Sequence, residues 1–236
     1  MKEKYLKGLK DGIPIALGYL SVSFAFGIIA VESGFAWWQA TLISMLNVTS
    51  AGQFAGIGVM LAPGNYLEMI ITQLTINIRY SFMTISLSQK VDSKFSGIYR
   101  WLLGFGTTDE IFAVSMTQDS VSRSYFFGLF TLPFIGWTMG TLLGAVLGSI
   151  LPASVISALG LAIYGMFVAI VVPEMKTQKS VLYVVLFAIV LSLLFTYLPG
   201  LKNLTSGLTI SITAILAALF GAFVFPVEDE MISEEQ

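Results

Sequence analysis

Gly104-Phe105-Gly106-Thr107-Thr108-Asp109-Glu110 breaks a run that otherwise reads as a membrane helix. Two glycines, two threonines and two adjacent carboxylates stand where a lipid-spanning segment needs apolar side chains. A carboxylate at the centre of such a segment costs roughly 2.5–3.5 kcal/mol on insertion scales. Two in succession require a partner, a water-filled cavity or a proton. The partner on offer is Arg79, the basic residue within the apolar body of a segment.

Outward from this stretch, the composition is that of a polytopic membrane protein. Of 236 residues, 56% are hydrophobic and 11% charged, against about 25% charged in a soluble domain. The mean hydropathy is +0.85, and the charges cluster between long uncharged runs. There is no cysteine and no histidine. Disulfides, thiolate or imidazole nucleophiles and Cys/His zinc sites are therefore excluded, and a proton relay would use carboxylates, tyrosines or water. Lys2, Lys4, Lys7 and Lys10 precede an apolar run from Ile13 to Val31. That run is too long for the core of a signal peptide and reads as a retained first helix with its N-terminus in the cytoplasm.

The expected fold is all-α, a bundle of seven or eight membrane segments over residues 1–226 with broken or re-entrant helices. An acidic disordered tail is expected at 227–236. The first segment, Ile13–Val31, has Pro14 in its first turn, where the missing N–H costs nothing. The second, Ala36–Leu61, is apolar at both ends and polar in the middle, at Asn47, Thr49, Ser50 and Gln53. It reads as broken or re-entrant, because irregular backbone at membrane depth must be buried in protein or line a cavity. The third, Tyr66–Ser88, puts Leu67, Ile71, Leu74, Ile78, Phe82 and Ile85 on one side at 100° per residue. Gln73, Asn77, Tyr80 and Thr84 fall opposite, flanked by Thr72, Thr75, Arg79 and Ser86, so one face suits lipid and the other a polar interior. The fourth, Trp101–Thr117, contains the opening stretch.

The fifth segment, Tyr125–Leu151, carries Gly136, Gly140, Gly144 and Gly148 on one helix face. Such a ladder of small residues lets another helix approach closely. It reads as packing and, if it faces outward, as the docking surface for a partner membrane protein. Segments at Ala153–Val172, Val181–Leu198 and Leu204–Phe225 complete the chain, with a loop at Pro173–Ser180. Eight full crossings from a cytoplasmic N-terminus would put the basic Lys90–Arg100 loop outside, against the positive-inside trend. A re-entrant second segment brings that loop inside and sends Lys176 and Lys179 outside. The basic loop favours seven crossings plus one re-entrant element. A weak echo links the first and fifth segments, each with a proline followed by spaced glycines, and suggests two related halves.

The candidate substrate-binding or proton-coupling residues are Arg79, Asp109, Glu110, Asn77, Gln53, Asn47, Gln73 and Thr108. One guanidinium cannot neutralise two carboxylates, so one carboxylate is a candidate proton carrier. The competing reading of Arg79 with its carboxylates is an ion pair holding two helices in register. For Asn47, Thr49, Ser50 and Gln53 it is interhelical hydrogen bonding. A half-helix end in the second segment would present free backbone groups to a ligand. The sequence has no phosphate-binding loop, no nucleophile elbow and no metal-ligand spacing. No enzyme activity, cofactor or metal is expected, and no basic patch points to nucleic acid.

Four pieces in order carry a family resemblance: Gly12-Ile-Pro14-Ile-Ala-Leu-Gly18, Ser50-Ala-Gly52-Gln53-Phe54, Asn77-Ile-Arg79 and Thr108-Asp109-Glu110-Ile-Phe112-Ala113. Together they resemble the AzlC-type large subunit of branched-chain amino-acid exporters over the first half of the chain. The second half is similar in hydrophobicity and length. The family pattern reads closer to Ala-Gly-Ala-Ala-Gln-Phe where this chain has Thr49-Ser50-Ala51-Gly52-Gln53-Phe54. The resemblance implies an inner-membrane secondary exporter of apolar amino acids with a small hydrophobic AzlD-type partner subunit. A passive channel and a non-transporting membrane scaffold are the alternatives.

Overall fold

The computed structural model describes residues 1–62, 66–152, 171–201 and 204–226, with isolated positions 154, 165 and 168. The described residues form helices, with no strand beyond a single bridge between Val91 and Val121. The elements are α1 (Lys2–Glu32), α2 (Trp37–Leu46), α3 (Ser50–Leu61), α4 (Tyr66–Ser88), α5 (Ile98–Gly106), α6 (Asp109–Met116), α7 (Arg123–Leu147), a 3₁₀ turn at Gly148–Ile150, α8 (Lys179–Tyr197) and α9 (Ser206–Val224). Four of them, α1, α7, α8 and α9, are long and apolar enough to cross a membrane. The helical membrane bundle expected from the sequence is present. The sixth segment and the acidic tail lie mostly or wholly outside the described residues.

The bundle is built on α1 and α7, which touch backbone to backbone. Along α7, Gly136 meets Ala16, Gly140 meets Leu20, Gly144 meets Phe24 and Gly148 meets Ile28. The register is constant, so the two helices run parallel. Glycines on α1 reciprocate: Gly12 lies against Leu129 and Pro133, and Gly27 against Thr141 and Ala145. A Cβ at Gly136 would stand 2.6 Å from the Ala16 carbonyl oxygen. Only Cα hydrogens fit there, in the close approach that small residues permit between membrane helices. The glycine ladder therefore faces inward against α1, as the packing reading expects, and the outward face that a docking surface for a second protein would need is not there. Pro14 is corrected too: α1 begins at Lys2, so the proline lies inside the helix, as Pro133 does in α7.

Contacts at the start of α7 fix the direction of the other elements. Lys90 Nζ, just past α4, donates to the carbonyls of Met116 (2.9 Å) and Gln118 (3.3 Å), and Lys7 Nζ donates to Gln118 Oε1 (2.6 Å). The end of α4 thus lies beside the starts of α1 and α7, and α4 runs against both. The chain leaves α1 at the far end and must return there to begin α4, so α2 and α3 form a hairpin that folds back. Side chains on its two arms meet: Gln53 Nε2 donates to Ser44 Oγ at 2.8 Å. This is the re-entrant element expected for the second segment.

The fourth segment departs from expectation. It is a second hairpin, α5 and α6, entered from the opposite end. Tyr99 and Phe105 on α5 climb along Phe127, Phe130 and Phe134 of α7, and α6 descends to Met116 beside Lys90. The break falls at Thr107 and Thr108, two β-branched residues in extended backbone. Gly104 and Gly106 stay helical. Gly106 lies against Phe126 and Phe130, so it serves close packing and not the break.

Among the described residues, a long helix followed by a hairpin thus occurs twice, as α1–α2–α3 and as α4–α5–α6 with opposite direction. This inverted pairing replaces the echo expected between the first and fifth segments, which are parallel neighbours. The chain then adds α8 and α9, antiparallel to each other through stacked Phe187–Phe220 and Tyr183–Phe225. The first turn of α9 meets Glu68 and Thr72 of α4 at the far end, so Phe225 and Lys179 return to the end that holds the N-terminus. Lys179 was expected on the other side; the second hairpin reverses that. Residues 173–177, the first part of the stretch expected as a loop, are helical.

Candidate functional site

The two hairpin tips meet in mid-bundle beside α4. There they border a cavity of about 550 Å³, within the range of small-ligand sites. Its polar side is Arg79, Tyr80, Asp109, Glu110, Tyr19 and Thr108, and its apolar side includes Val48, Ile76, Ala113, Trp137 and Val171. Ser50 and Ala51 bring the first turn of α3 to the wall, and Asp109 and Glu110 bring the first turn of α6. Both half-helices thus point their N-terminal, partly positive ends at one space.

The charges are divided between two partners. Arg79 Nη1 donates to Asp109 Oδ1, forming an ion pair between α4 and α6. The side chains are 48% and 39% exposed, which leaves both open to the cavity. The guanidinium also donates to Tyr80 and lies 4.7 Å from its ring centroid, a cation–π contact. Glu110 turns the other way. Its Oε2 lies 2.6 Å from the Tyr19 hydroxyl, which is also 2.6 Å from Thr108 Oγ1. The phenol has a single proton to give, and the carboxylate is the stronger acceptor. Of the two carboxylates, Asp109 is the one held by arginine and Glu110 the one held by a phenol.

The AzlC protein family matches residues 14–151 of this chain, a span containing every cavity residue named here except Val171. The chain belongs to the AzlC family. An uncharacterized membrane protein of Archaeoglobus fulgidus is 34% identical, with 73% of this chain and 76% of that protein covered. The inner membrane protein YgaZ of Escherichia coli is 29% identical over 75% of each. A Bacillus subtilis relative named branched-chain amino acid transport protein AzlC is 24% identical over 71% of this chain and 66% of its own length. No solved structure matches the chain. These findings make it a membrane protein and support a role in membrane transport.

Within this AzlC-family chain, the expected site residues separate into three sets. Arg79, Thr108, Asp109 and Glu110 line the main cavity. Asn47 and Asn77 border a smaller cleft of about 160 Å³ between the hairpin tips, with Thr49, Tyr80 and Thr107. Gln73 and Asn77 also close a ring of hydrogen bonds that clamps α3 to α4. Thr49 donates to Asn77 Oδ1 (2.8 Å), Asn77 Nδ2 to Gln73 Oε1 (3.0 Å) and Gln73 Nε2 to the Gly52 carbonyl (2.8 Å). Gly52 N–H returns to Thr49 Oγ1 at 3.4 Å. A Cβ at position 52 would stand 2.8 Å from Gln73 Oε1, so the glycine makes room for the ring.

Gln53 is fully buried and is not among the residues that line the cavity. It accepts from Trp137 Nε1 (3.1 Å) and donates to Ser44, which is 2.6 Å from Thr141. Tyr19 and Trp137 were missing from the expected set. Their rings meet edge to face at 5.2 Å, and together they connect Gln53 of the first hairpin to Glu110 of the second. Their signal was position: each is an amphipathic aromatic near the middle of a long apolar helix, away from the membrane interfaces where tyrosine and tryptophan concentrate.

Proposed function

We propose that this protein is a secondary transporter that exports branched-chain or similar apolar amino acids, coupled to protons and working with a small AzlD-type membrane subunit. The observation that carries the reading is one cavity holding a guanidinium, two carboxylates and an apolar wall between two half-helix N-termini. An apolar amino acid is a zwitterion with an aliphatic side chain, and each of its parts has a counterpart there. Its carboxylate would replace Asp109 on Arg79, near the free N–H groups of Ser50 and Ala51. Its ammonium would take Asp109 and Glu110. Its side chain would lie against Val48, Ile76, Ala113 and Trp137. The Arg79–Asp109 pair then acts as the closed form of the empty site, and the substrate inserts between its partners.

Glu110, outside that ion pair, is the proposed proton carrier. Protonation from the outer side would weaken its hold on the ammonium and release the substrate there. The cytoplasmic placement of the N-terminus belongs to the same reading, since Lys2, Lys4, Lys7, Lys10, Lys90, Lys94, Lys179 and Arg123 would then all lie at the inner end. No chemical change in the substrate is proposed, so the protein is read as a carrier and not an enzyme. The test is counterflow of labelled leucine in proteoliposomes with and without the small subunit. Accelerated counterflow that Arg79→Gln abolishes supports the reading. Full transport by both Asp109→Asn and Glu110→Gln removes the proton role, and absence of counterflow for every apolar amino acid removes the substrate class.

A further inference from the structure

Tyr19 of α1 reaches the tip of the second hairpin at two points. Its hydroxyl lies 2.6 Å from Glu110 Oε2 and 2.6 Å from Thr108 Oγ1. Tyr19 is 8% exposed and Thr108 4%, so solvent competes little for these bonds. The ring is fixed edge to face against Trp137. Thr108 stands directly before α6, at the break between the two arms, and its side chain does not cap that helix. In the first hairpin the residue at the same place, Thr49, accepts from the Gly52 N–H and caps α3. Thr107, the other threonine of the break, donates to the Leu103 carbonyl at 2.6 Å. Thr108 is thus the threonine of this tip whose hydroxyl is left to bond across to α1.

The phenol has one proton and two acceptors at the same distance, so it can serve one of them at a time. Glu110 decides which. An ionised carboxylate is the stronger acceptor and takes the phenolic proton, and Thr108 goes without. A protonated carboxyl carries an O–H of its own and donates it to the phenol oxygen. The phenolic proton is then free for Thr108. No proton leaves Tyr19 in this exchange: the carboxyl takes its proton from water, and the phenolic O–H only rotates. The other charged or titratable groups that face Glu110 are Arg79 and Tyr80 on α4 and its neighbour Asp109. Arg79 is held by Asp109, and the cavity residues of α3 and α7, Ser50, Ala51 and Trp137, carry no charge.

We propose that Tyr19 is a positioning residue whose hydroxyl proton turns from Glu110 to Thr108 when Glu110 gains a proton, so that α1 fastens the tip of the second hairpin in the neutral state. The inference rests on the reading of Glu110 as the proton carrier. With Glu110 ionised, one bond joins α1 to the tip. With Glu110 protonated, a chain of two runs from Glu110 through Tyr19 to Thr108. Proton uptake then does two things together. It removes a charge that faces the substrate's ammonium, and it anchors the break of the hairpin to the α1–α7 frame.

The test is infrared difference spectroscopy of the purified full chain in detergent, without substrate, titrated with acid. The signal is the C=O stretch of a protonated carboxyl, assigned to Glu110 by its loss in Glu110→Gln. The phenol's stronger role is to hold the ionised carboxylate, whereas Thr108 serves only the protonated state. Tyr19→Phe should therefore move the titration midpoint of the band to higher pH, by about one unit or more, a tenfold change in the protonation equilibrium. Thr108→Val should move it the opposite way, to lower pH, and Thr108→Ser should return it to the parent value. General damage to the site would not give shifts of opposite sign. Shifts of the same sign overturn the switch, as does an unmoved midpoint in either Tyr19→Phe or Thr108→Val. Absence of any carboxyl band that Glu110→Gln removes also overturns it. Since the readout needs neither substrate nor transport, opposite shifts in a chain that moves no amino acid would leave the switch standing and overturn the transport reading alone.

Discussion

At the tip of the α2–α3 hairpin, Asn47, Val48 and Thr49 carry no charge. At the tip of α5–α6, Thr107 and Thr108 are followed directly by Asp109 and Glu110. The first tip is tied into its surroundings by the Thr49–Asn77–Gln73–Gly52 ring and by Gln53 with Ser44 and Trp137. The second is joined to its neighbours through an ion pair and a phenol, both at the edge of the cavity. One geometry, entered from opposite ends of the bundle, thus presents backbone and neutral polar groups on one side and charge on the other. The neutral hairpin is built to stay in place. The charged hairpin is built with bonds that a ligand of opposite charge can replace.

The largest effect should come from removing the charge that the second hairpin answers to. Arg79→Gln leaves Asp109 without its partner and takes away the contact proposed for the substrate's carboxylate. Transport should fall by about a hundredfold or more, equivalent to about 2.7 kcal/mol, while the chain still inserts and purifies. Initial rates in proteoliposomes measure this, and transport near the original rate would make the ion pair purely architectural.

The next effect tests the frame that both hairpins rest on. Gly144→Ala would drive a methyl into the Phe24 carbonyl. It should destabilise the fold by ~1–3 kcal/mol. Gly18→Ala, with nothing within 4 Å of its added carbon, should be within about 0.5 kcal/mol of the parent. Thermal unfolding in detergent compares the two, and equal stabilities would break the account of the α1–α7 contact.

Gln53→Leu sharpens the comparison between hairpins. It strands the Trp137 indole N–H and disrupts Ser44, so a stability loss of about 1–3 kcal/mol is expected. The half-saturating substrate concentration should change by less than about twofold, a shift below about 0.4 kcal/mol. A large affinity change with unaltered stability would move Gln53 from the scaffold to the site. The smallest effect belongs to Gly104→Ala. Its added carbon would meet Thr84 Cγ2 at 3.7 Å, an ordinary contact, so stability and transport should both stay within about 0.5 kcal/mol. A severe loss would restore Gly104 as part of the break.

Much of this was legible in the sequence, because the membrane makes polar residues conspicuous. The break near Asn47–Thr49, the polar stripe of α4 and the meeting of Arg79 with Asp109 all follow from groups that lipid will not accept. The second hairpin was hidden by its size. Its arms of nine and eight residues together match one crossing, so length argued for a single segment. Tyr19 and Trp137 were hidden because an aromatic ring in an apolar run also suits lipid. Glu68 was hidden because a carboxylate near a turn looks like an interfacial residue; only the packing of α9 shows that it is enclosed. The inward face of the glycine ladder depended on which helix supplies the opposite surface, and that helix lies far away in the chain.

That distance has a consequence for how the protein is made. Each backbone contact along α1 is completed by a residue about 120 positions later, such as Ala16 by Gly136. At ~5–20 residues per second of synthesis, α1 emerges from the ribosome ~6–24 s before its mate. During that interval its glycine notches face lipid or whatever insertion machinery accompanies the chain. Both hairpins are produced in the same interval, before the surface that supports them exists. The arrival of α7 is thus the event that turns a set of separately inserted pieces into a single assembled bundle.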